Sequence, residues 1–213
     1  MMIRSRVVVL LICTIRPTAT AGTIQLGIQN YSDGRLINGA AAWEAGSAAD
    51  VAPFRTINGS DFGTSFSASW TFEFAAETVA AASTTIGIFD HDSAAPGDQV
   101  ASFTVDGFNL STRLNGAFNS RGGTQNENNI YTIALPNAAL GLLSDGIANF
   151  QLTLQGPGLQ GVPGSCCDTT SGNAAGLDFV SLTTSAVPEP TSLILFGGGL
   201  AALALMHRYR LLL

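Results

Sequence analysis

Apolar and polar residues alternate one by one along much of the chain between residues 22 and 186. The clearest example runs from Ser65 to Phe74, Ser-Phe-Ser-Ala-Ser-Trp-Thr-Phe-Glu-Phe, where every apolar side chain falls on one face. A period of two residues is typical of a β-strand that buries one face. We predict further strands in the segments Thr23–Ile28, Thr85–Phe89, Val100–Val105, Ile130–Leu135, Ala148–Leu154 and Leu177–Leu182.

Turn-forming pairs such as Asp33-Gly34 and Asn115-Gly116 separate the predicted strands. One stretch, Pro136 to Gly146, instead predicts a single short helix of about two turns. Short strands at intervals of roughly 8–12 residues are typical of a β-sandwich. We therefore predict an all-β domain over residues 22–186, a jelly-roll-like β-sandwich with one short helix.

The first 21 residues have the pattern of a secretory signal peptide. Arg4 and Arg6 precede an apolar core, Val7 to Ile15, that is too short to cross a bilayer core of about 30 Å. Ala19-Thr20-Ala21 then gives the small-x-small pattern that signal peptidase accepts. We predict export and cleavage after Ala21, the alternative being a buried N-terminal strand.

An uncharged segment from Thr191 to Met206 lies close to the C-terminus and predicts a single transmembrane helix. It is slightly shorter than the ~17–25 residues of ordinary spanning helices, and the three glycines at 197–199 weaken it further. Arg208 and Arg210 follow it, which fits the positive-inside rule. These features favour a temporary anchor, and the alternative is a buried helix of the domain core.

A Pro-Glu-Pro element precedes this apolar segment. The order of Val187-Pro188-Glu189-Pro190, a short apolar segment and the basic end at Arg208 and Arg210 resembles the PEP-CTERM protein-sorting tail. The resemblance covers residues 187–213. It implies processing by an exosortase, a membrane-embedded cysteine transpeptidase that removes the hydrophobic end. It also implies a Gram-negative bacterium that makes exopolysaccharide and biofilm, with an inner-membrane intermediate and a final place at the cell surface or in the extracellular matrix.

The charge of the exported part is strongly negative. The chain has no lysine, and residues 22–186 hold four arginines against fourteen carboxylates, a net charge of −10. Nucleic acids and anionic lipid surfaces are bound through cationic patches, so this balance argues against both as partners. It is compatible with cations, neutral glycans or another protein.

The loop Phe-Asp-His-Asp-Ser-Ala-Ala-Pro-Gly-Asp is the strongest candidate for chemistry. Asp90, Asp92 and Asp98, with Asp178 from the last strand, offer the hard oxygen ligands that Ca²⁺ prefers. Their spacing is not that of an EF-hand, and the alternative is a solvated loop whose carboxylates accept backbone hydrogen bonds. His91 lies between two of these acids, and we expect an exposed loop histidine rather than a general base.

Other candidate motifs lack the context that their chemistry needs. Gly156 to Gly161 matches G-x-G-x-x-G, but Pro163 and a glycine-rich loop follow where a helix should begin. Cys166 and Cys167 are adjacent, which leaves a vicinal disulfide, an intermolecular bond or free thiols open. No HExxH or GxSxG motif is present.

The sequence therefore predicts a non-enzymatic exported protein of the cell surface or matrix, with a structural or adhesive role in exopolysaccharide. Its expected partners are signal peptidase, an exosortase-type enzyme and exopolysaccharide, with transient membrane contact. One alternative is a carbohydrate-binding module in which exposed aromatic rings such as Trp43 or Tyr131 stack on sugars. A second, less favoured alternative is an extracellular hydrolase that uses His91 or a carboxylate pair such as Glu73 and Asp90.

Overall fold

The computed structural model describes residues 21–60, 63–91, 98–155, 172–187, 197–203 and 207. Residues Ala21–Val187 form one compact unit. Its strands are β1 (Ala21–Leu26), β2 (Arg35–Leu36), β3 (Ile57–Asn58), β4 (Ser67–Glu73), β5 (Val79–Phe89), β6 (Val100–Val105), β7 (Phe108–Asn109), β8 (Glu127–Ala134), β9 (Ile147–Leu154) and β10 (Ala175–Ala186). Its helices are α1 (Ala40–Gly46), α2 (Ser111–Ser120) and α3 (Asn137–Leu140), which continues as a 3₁₀ turn, Gly141–Leu143.

The strands form two antiparallel sheets. The larger sheet has the order β1-β10-β5-β8-β2, and β3 also pairs with β10. The smaller sheet has the order β4-β9-β6-β7. Both sheets contribute buried side chains to one hydrophobic core, for example Phe72 and Phe150 from the smaller sheet and Ile86 and Val180 from the larger. The prediction of an all-β domain is confirmed.

The alternating pattern correctly assigns the buried faces. In β4, Trp70 and Phe72 are buried, whereas Ser69 and Thr71 between them are exposed. The first predicted strand, Thr23–Ile28, is too long. Gly27 has a φ of 75°, which ends β1 at Leu26, and the side chain of Ile28 is 51% exposed rather than in the core.

The predicted short helix is present as α3 and its 3₁₀ extension. Two further helices, α1 and α2, were not predicted. The expected turn at Asn115-Gly116 is wrong, because both residues lie inside α2. The Asn115 side chain instead accepts the backbone N–H groups of Gln99 and Val100 at 3.0 and 2.9 Å. A tertiary contact therefore overrides a local turn preference.

The two chain ends that carry the predicted targeting segments are described only in part. The signal peptide falls on residues outside the described part, apart from Ala21, which is the first residue of β1. Residues 197–203 are helical. Within the ranges that the structure describes, no helix is long and apolar enough to cross a membrane. The predicted transmembrane helix from Thr191 to Met206 is therefore not supported.

Candidate functional site

A buried histidine lies where β5 ends, beneath helix α2. His91 is 0% exposed, and its ring packs against the rings of Phe118 and Tyr131, with centroid distances of 4.1 and 5.3 Å. The side chains of Gln99 and Tyr131 contact its two ring nitrogens. We call His91, Gln99, Phe118 and Tyr131 the histidine cluster. The expectation of an exposed loop histidine is wrong, because α2 covers the ring.

The hydrogen bonds of the histidine cluster fix the tautomer of His91. The Tyr131 hydroxyl donates its one hydrogen to the backbone carbonyl of Arg121 at 2.8 Å. The Nε2 atom of His91, 2.9 Å from the same hydroxyl oxygen, must therefore be the donor in that contact. The other ring nitrogen, Nδ1, lies 3.4 Å from the Oε1 atom of the Gln99 side chain.

The environment of His91 favours its neutral form. Burial lowers the pKa of His91 to about 4, although its hydrogen bonds with Gln99 and Asn129 and the charge of Glu127 act in the opposite direction. A neutral, fully enclosed imidazole contacts no solvent from which a substrate would arrive. It serves as a packing and hydrogen-bonding group between the end of β5, helix α2 and strand β8.

The histidine cluster connects to the surface through Arg121. The guanidinium of Arg121 pairs with the carboxylate of Asp33 and lies over the Tyr131 ring, with its central carbon 5.4 Å from the ring centroid. Asp33 also accepts the backbone N–H of Ile130 at 2.8 Å. This ion pair is about half exposed, so it contributes little stability by itself. It holds the segment before β2 against β8.

A second buried group of ionisable residues lies on the larger sheet. Asp50 and Asp178 are 6% and 0% exposed, and both accept hydrogen bonds from residues 28–31. Asp178 accepts the backbone N–H groups of Asn30 and Tyr31 at 3.1 and 3.4 Å. Asp50 accepts the N–H of Ile28 at 2.8 Å and the side-chain amide of Asn30 at 2.6 Å. We call Asp50, Asp178 and Asn30 the carboxylate clasp.

The carboxylate clasp disfavours ionisation of Asp178. Burial and the nearby charge of Asp50 raise the pKa of Asp178 to about 6, against the lowering effect of the N–H groups of Asn30 and Tyr31. Asp178 occupies an irregularity in the β10–β5 pairing, where the register shifts between Leu177 and Phe179. The carboxylate clasp connects residues 28–31, which follow β1, to strand β10 through hydrogen bonds to the two buried carboxylates.

The structure places the predicted calcium ligands in different surroundings. The side chain of Asp90 accepts the backbone N–H of Asn126 at 2.5 Å, and Asp178 belongs to the carboxylate clasp. Asp98 accepts the side-chain amide of Gln155 through its backbone carbonyl. Among the described residues, no group of three His, Cys, Asp or Glu side chains is placed to hold a metal ion. Asp92 lies outside the described residues, so the complete four-residue set stays a prediction.

The two aromatic residues that were expected to be exposed are both buried. Trp43 is 0% exposed and stacks between Tyr31 and Phe89, with centroid distances of 6.4 and 5.6 Å. Tyr131 is 2% exposed and belongs to the histidine cluster. Neither ring is available to a sugar. The sequence pattern missed this because helix α1, which buries Trp43, was not predicted.

The C-terminal end of the domain lies beside its N-terminal end. Ala21 of β1 pairs with Ser185 of β10, and the N–H of Val187 donates to the carbonyl of Thr78 at 2.8 Å. Val187 is 47% exposed. The other predicted sorting and cleavage residues, Ala19, Pro188, Glu189, Pro190, Arg208 and Arg210, lie outside the described residues, as do Cys166 and Cys167.

Residues 186–208, which begin at this end of the domain, match the family model of the PEP-CTERM protein-sorting motif. The chain carries a PEP-CTERM motif. This confirms the resemblance found in the sequence, and the PEP-CTERM motif implies an exosortase-sorted protein that is exported toward the cell surface. No curated protein matches the chain.

One similar solved structure is the dimeric latent PorU from Porphyromonas gingivalis. The two chains are 10% identical, with a TM-score of 0.39, over 79% of this chain and 13% of that chain. The PEP-CTERM-bearing chain therefore spans only a small part of the length of that protein.

Sequence reasoning identified the PEP-CTERM motif but missed most of the buried polar groups. Asp50 and Asn30 carry no local signal that links them to Asp178, because they are distant in the chain. The one available signal is Asp178 itself, a single charge inside the apolar stretch Gly-Leu-Asp-Phe-Val. A lone carboxylate in a strand that is otherwise buried needs hydrogen-bond donors from elsewhere.

Proposed function

We propose that this protein is a non-enzymatic component of the cell surface or extracellular matrix of a Gram-negative bacterium, structural or adhesive within exopolysaccharide and biofilm. In this proposal a signal peptidase removes residues 1–21, and an exosortase recognises the PEP-CTERM motif and removes the hydrophobic end. The domain is then released from a transient inner-membrane intermediate. The observation that carries the proposal is the match of residues 186–208 to the sorting motif.

The fold supports a display role for the domain. When β2 and β3 are left out, the other eight strands can be numbered from one to eight in chain order. The larger sheet then has the order 1-8-3-6 and the smaller sheet has the order 2-7-4-5. This is the strand order of a jelly roll, an architecture that closes most of its edges by packing two sheets. The net charge of −10 on residues 22–186 favours neutral glycans or proteins over anionic polymers as neighbours.

The buried residues weaken the two alternative functions. His91, the one histidine in residues 22–186, is enclosed and neutral, so it is poorly placed to act as the general base of a hydrolase. Trp43 and Tyr131 are enclosed as well, which removes the rings that favoured a carbohydrate-binding module.

Mass spectrometry of the mature protein from the native host tests the proposal. We expect peptides from the folded domain and none from residues 191–206 in wild type. Replacing Pro188-Glu189-Pro190 by three alanines should cause the C-terminal peptide to be retained. The control Glu73→Ala, an exposed acid on β4, should leave removal of the tail unchanged. A mature wild-type protein that still contains residues 191–206 would overturn the proposal.

A further inference from the structure

The folded sheet extends into the sorting motif. The matched segment begins at residue 186, and Ala186 is the last residue of β10, paired with Val79 of β5. The next residue, Val187, still donates its N–H to the carbonyl of Thr78 at 2.8 Å. Pro188, which has no N–H to continue this ladder, follows at once. The motif therefore begins before the sheet has ended, and no spacer separates the two.

The end of β10 is held on both sides. Thr184 pairs with Gly22 of β1 and with Ala82 of β5, and the bond from Val187 to Thr78 adds a further connection. Local opening is easiest at segments with few backbone partners, and this end has partners on two neighbouring strands. The position of Val187, from which the chain continues into Pro188, is therefore fixed by the domain.

The chain leaves the sheet at Val187, and we call this point the exit. The side chains around the exit are small. Gly22, Ala80 and Ala81, which lie on β1 and β5 next to the end of β10, are all exposed. An enzyme approaching the exit meets small side chains at these positions and one carboxylate, that of Glu77 next to Thr78. The exit thus permits close approach to the folded domain.

Simple chain dimensions show that such approach is required. An extended chain covers at most about 3.3–3.6 Å per residue, so Pro188-Glu189-Pro190 reaches only about 11 Å beyond Val187. An enzyme that encloses these three residues in a cleft must therefore come within that distance of Thr78 and the neighbouring strands. A motif that starts from a fixed point also loses less conformational entropy when the enzyme binds it.

We propose that Ala186 and Val187 are positioning residues for processing of the tail, which rests on the proposed function that an exosortase removes it. The enzyme engages the motif while β10 stays paired. The short distance between the last sheet bond and Pro188 is then a determinant of the processing rate. Neither residue touches the reacting bond; each acts by fixing where the motif is presented.

Insertion of a flexible spacer tests this proposal in the native host. Gly-Ser-Gly-Ser placed between Val187 and Pro188 keeps every residue of the sheet and the whole Pro-Glu-Pro element. We expect tail removal, followed by pulse labelling, to slow by about tenfold or more, because a motif on a flexible spacer loses more conformational entropy when the enzyme binds it. A shorter Gly-Ser insertion should give an intermediate rate.

A matched control is the same Gly-Ser-Gly-Ser inserted between Gly164 and Ser165, far from the motif in sequence. It should be processed at the wild-type rate. The melting temperature of the spacer variant should equal that of wild type, because the insertion follows the last sheet bond. Processing of the spacer variant at the wild-type rate, or faster, would overturn the positioning role.

Failure of the underlying function gives a different result. In that case wild type and the Gly164/Ser165 control both retain residues 191–206, and the three-alanine variant of Pro188-Glu189-Pro190 behaves like wild type. The two failures are therefore distinguishable in one set of strains.

Discussion

The histidine cluster and the carboxylate clasp both bury an ionisable side chain, but they resolve the cost of burial differently. His91 is enclosed by aromatic rings and amides and stays neutral, with its pKa lowered to about 4. Asp178 is enclosed beside a second acid, Asp50, and its pKa is raised to about 6. Burial disfavours the charged form in both cases, so it moves a base down and an acid up.

This difference makes the two regions respond to pH in opposite directions. Between pH 4 and 6.5 the unfolded chain binds a proton at His91 that the folded protein does not, so this residue favours folding more strongly as pH rises. For Asp178 the folded protein holds the proton more tightly. Its contribution is present below the unfolded pKa of 3.8 and is lost as pH rises through about 6.

The largest expected effect follows from removing each group in turn. We expect His91→Gln to remove about 3 kcal/mol of pH-dependent unfolding free energy between pH 4 and 6.5, counted from its two pKa values. Asp178→Asn should remove a smaller change of opposite sign, because burial shifts its pKa by less, from 3.8 to about 6. Urea denaturation of the purified proteins at a series of pH values measures both.

The slopes, rather than the absolute stabilities, decide the outcome. The difference between wild type and His91→Gln should grow with pH, and the difference between wild type and Asp178→Asn should shrink. Glu127 beside His91, and Asp50 and Tyr31 beside Asp178, remain in both variants and provide the common background. Equal slopes of unfolding free energy against pH in the two variants would contradict the predicted opposite pH dependences.

The second prediction concerns the hydrogen bond between His91 and the Tyr131 hydroxyl. Tyr131→Phe retains the ring but leaves the Nε2–H of His91 and the carbonyl of Arg121 without the hydroxyl that now bonds both. A buried donor without its partner costs about 1–3 kcal/mol of unfolding free energy. Chemical denaturation at pH 7 measures the loss.

The neighbouring residue on β8 supplies the control. Thr132 is exposed, and its hydroxyl bonds to that of Thr85 at 2.9 Å. Thr132→Val should change stability by no more than about 0.5 kcal/mol, since surface substitutions rarely do more. Equal effects of the two substitutions would mean that the Tyr131 hydroxyl does not stabilise the cluster.

The sequence predicts strands β6 and β9 well because the two faces of each strand meet different surroundings. Strand β6 has the predicted bounds, and β9 differs from its prediction by one residue at its start. Each strand packs against the core on one face only, so apolar and polar residues alternate along its sequence. The sorting motif is equally local, because Pro188-Glu189-Pro190 and the segments after it are contiguous.

The burial of the candidate site could not be predicted in the same way. His91 lies between two aspartates, which locally indicates exposure, but helix α2 and Tyr131 of β8 pack against its ring. That helix contains Asn115-Gly116, a turn pair, and it is stabilised by contacts with the end of the loop before β6. The carboxylate clasp likewise joins Asp50 to Asp178 across most of the domain. Such long-range pairings leave no periodic signal in one sequence.

The smallest expected effects come from replacing one glycine by alanine in each of two helices. One is α2, which covers the histidine cluster, and the other is α1, which contacts Tyr31. Gly116 of α2 faces open space, so Gly116→Ala should stabilise the protein by about 0.5–1 kcal/mol by restricting the unfolded chain. A Cβ at Gly46 of α1 would overlap the hydroxyl of Tyr31, which donates to the carbonyl of Trp43 at 2.9 Å. The Tyr31 ring is held by stacking on Trp43, with a centroid distance of 6.4 Å. Gly46→Ala should therefore destabilise by about 1 kcal/mol through loss of that hydrogen bond. If the melting temperatures of both variants shift in the same direction, the Tyr31 ring moves aside and the prediction for Gly46→Ala is wrong.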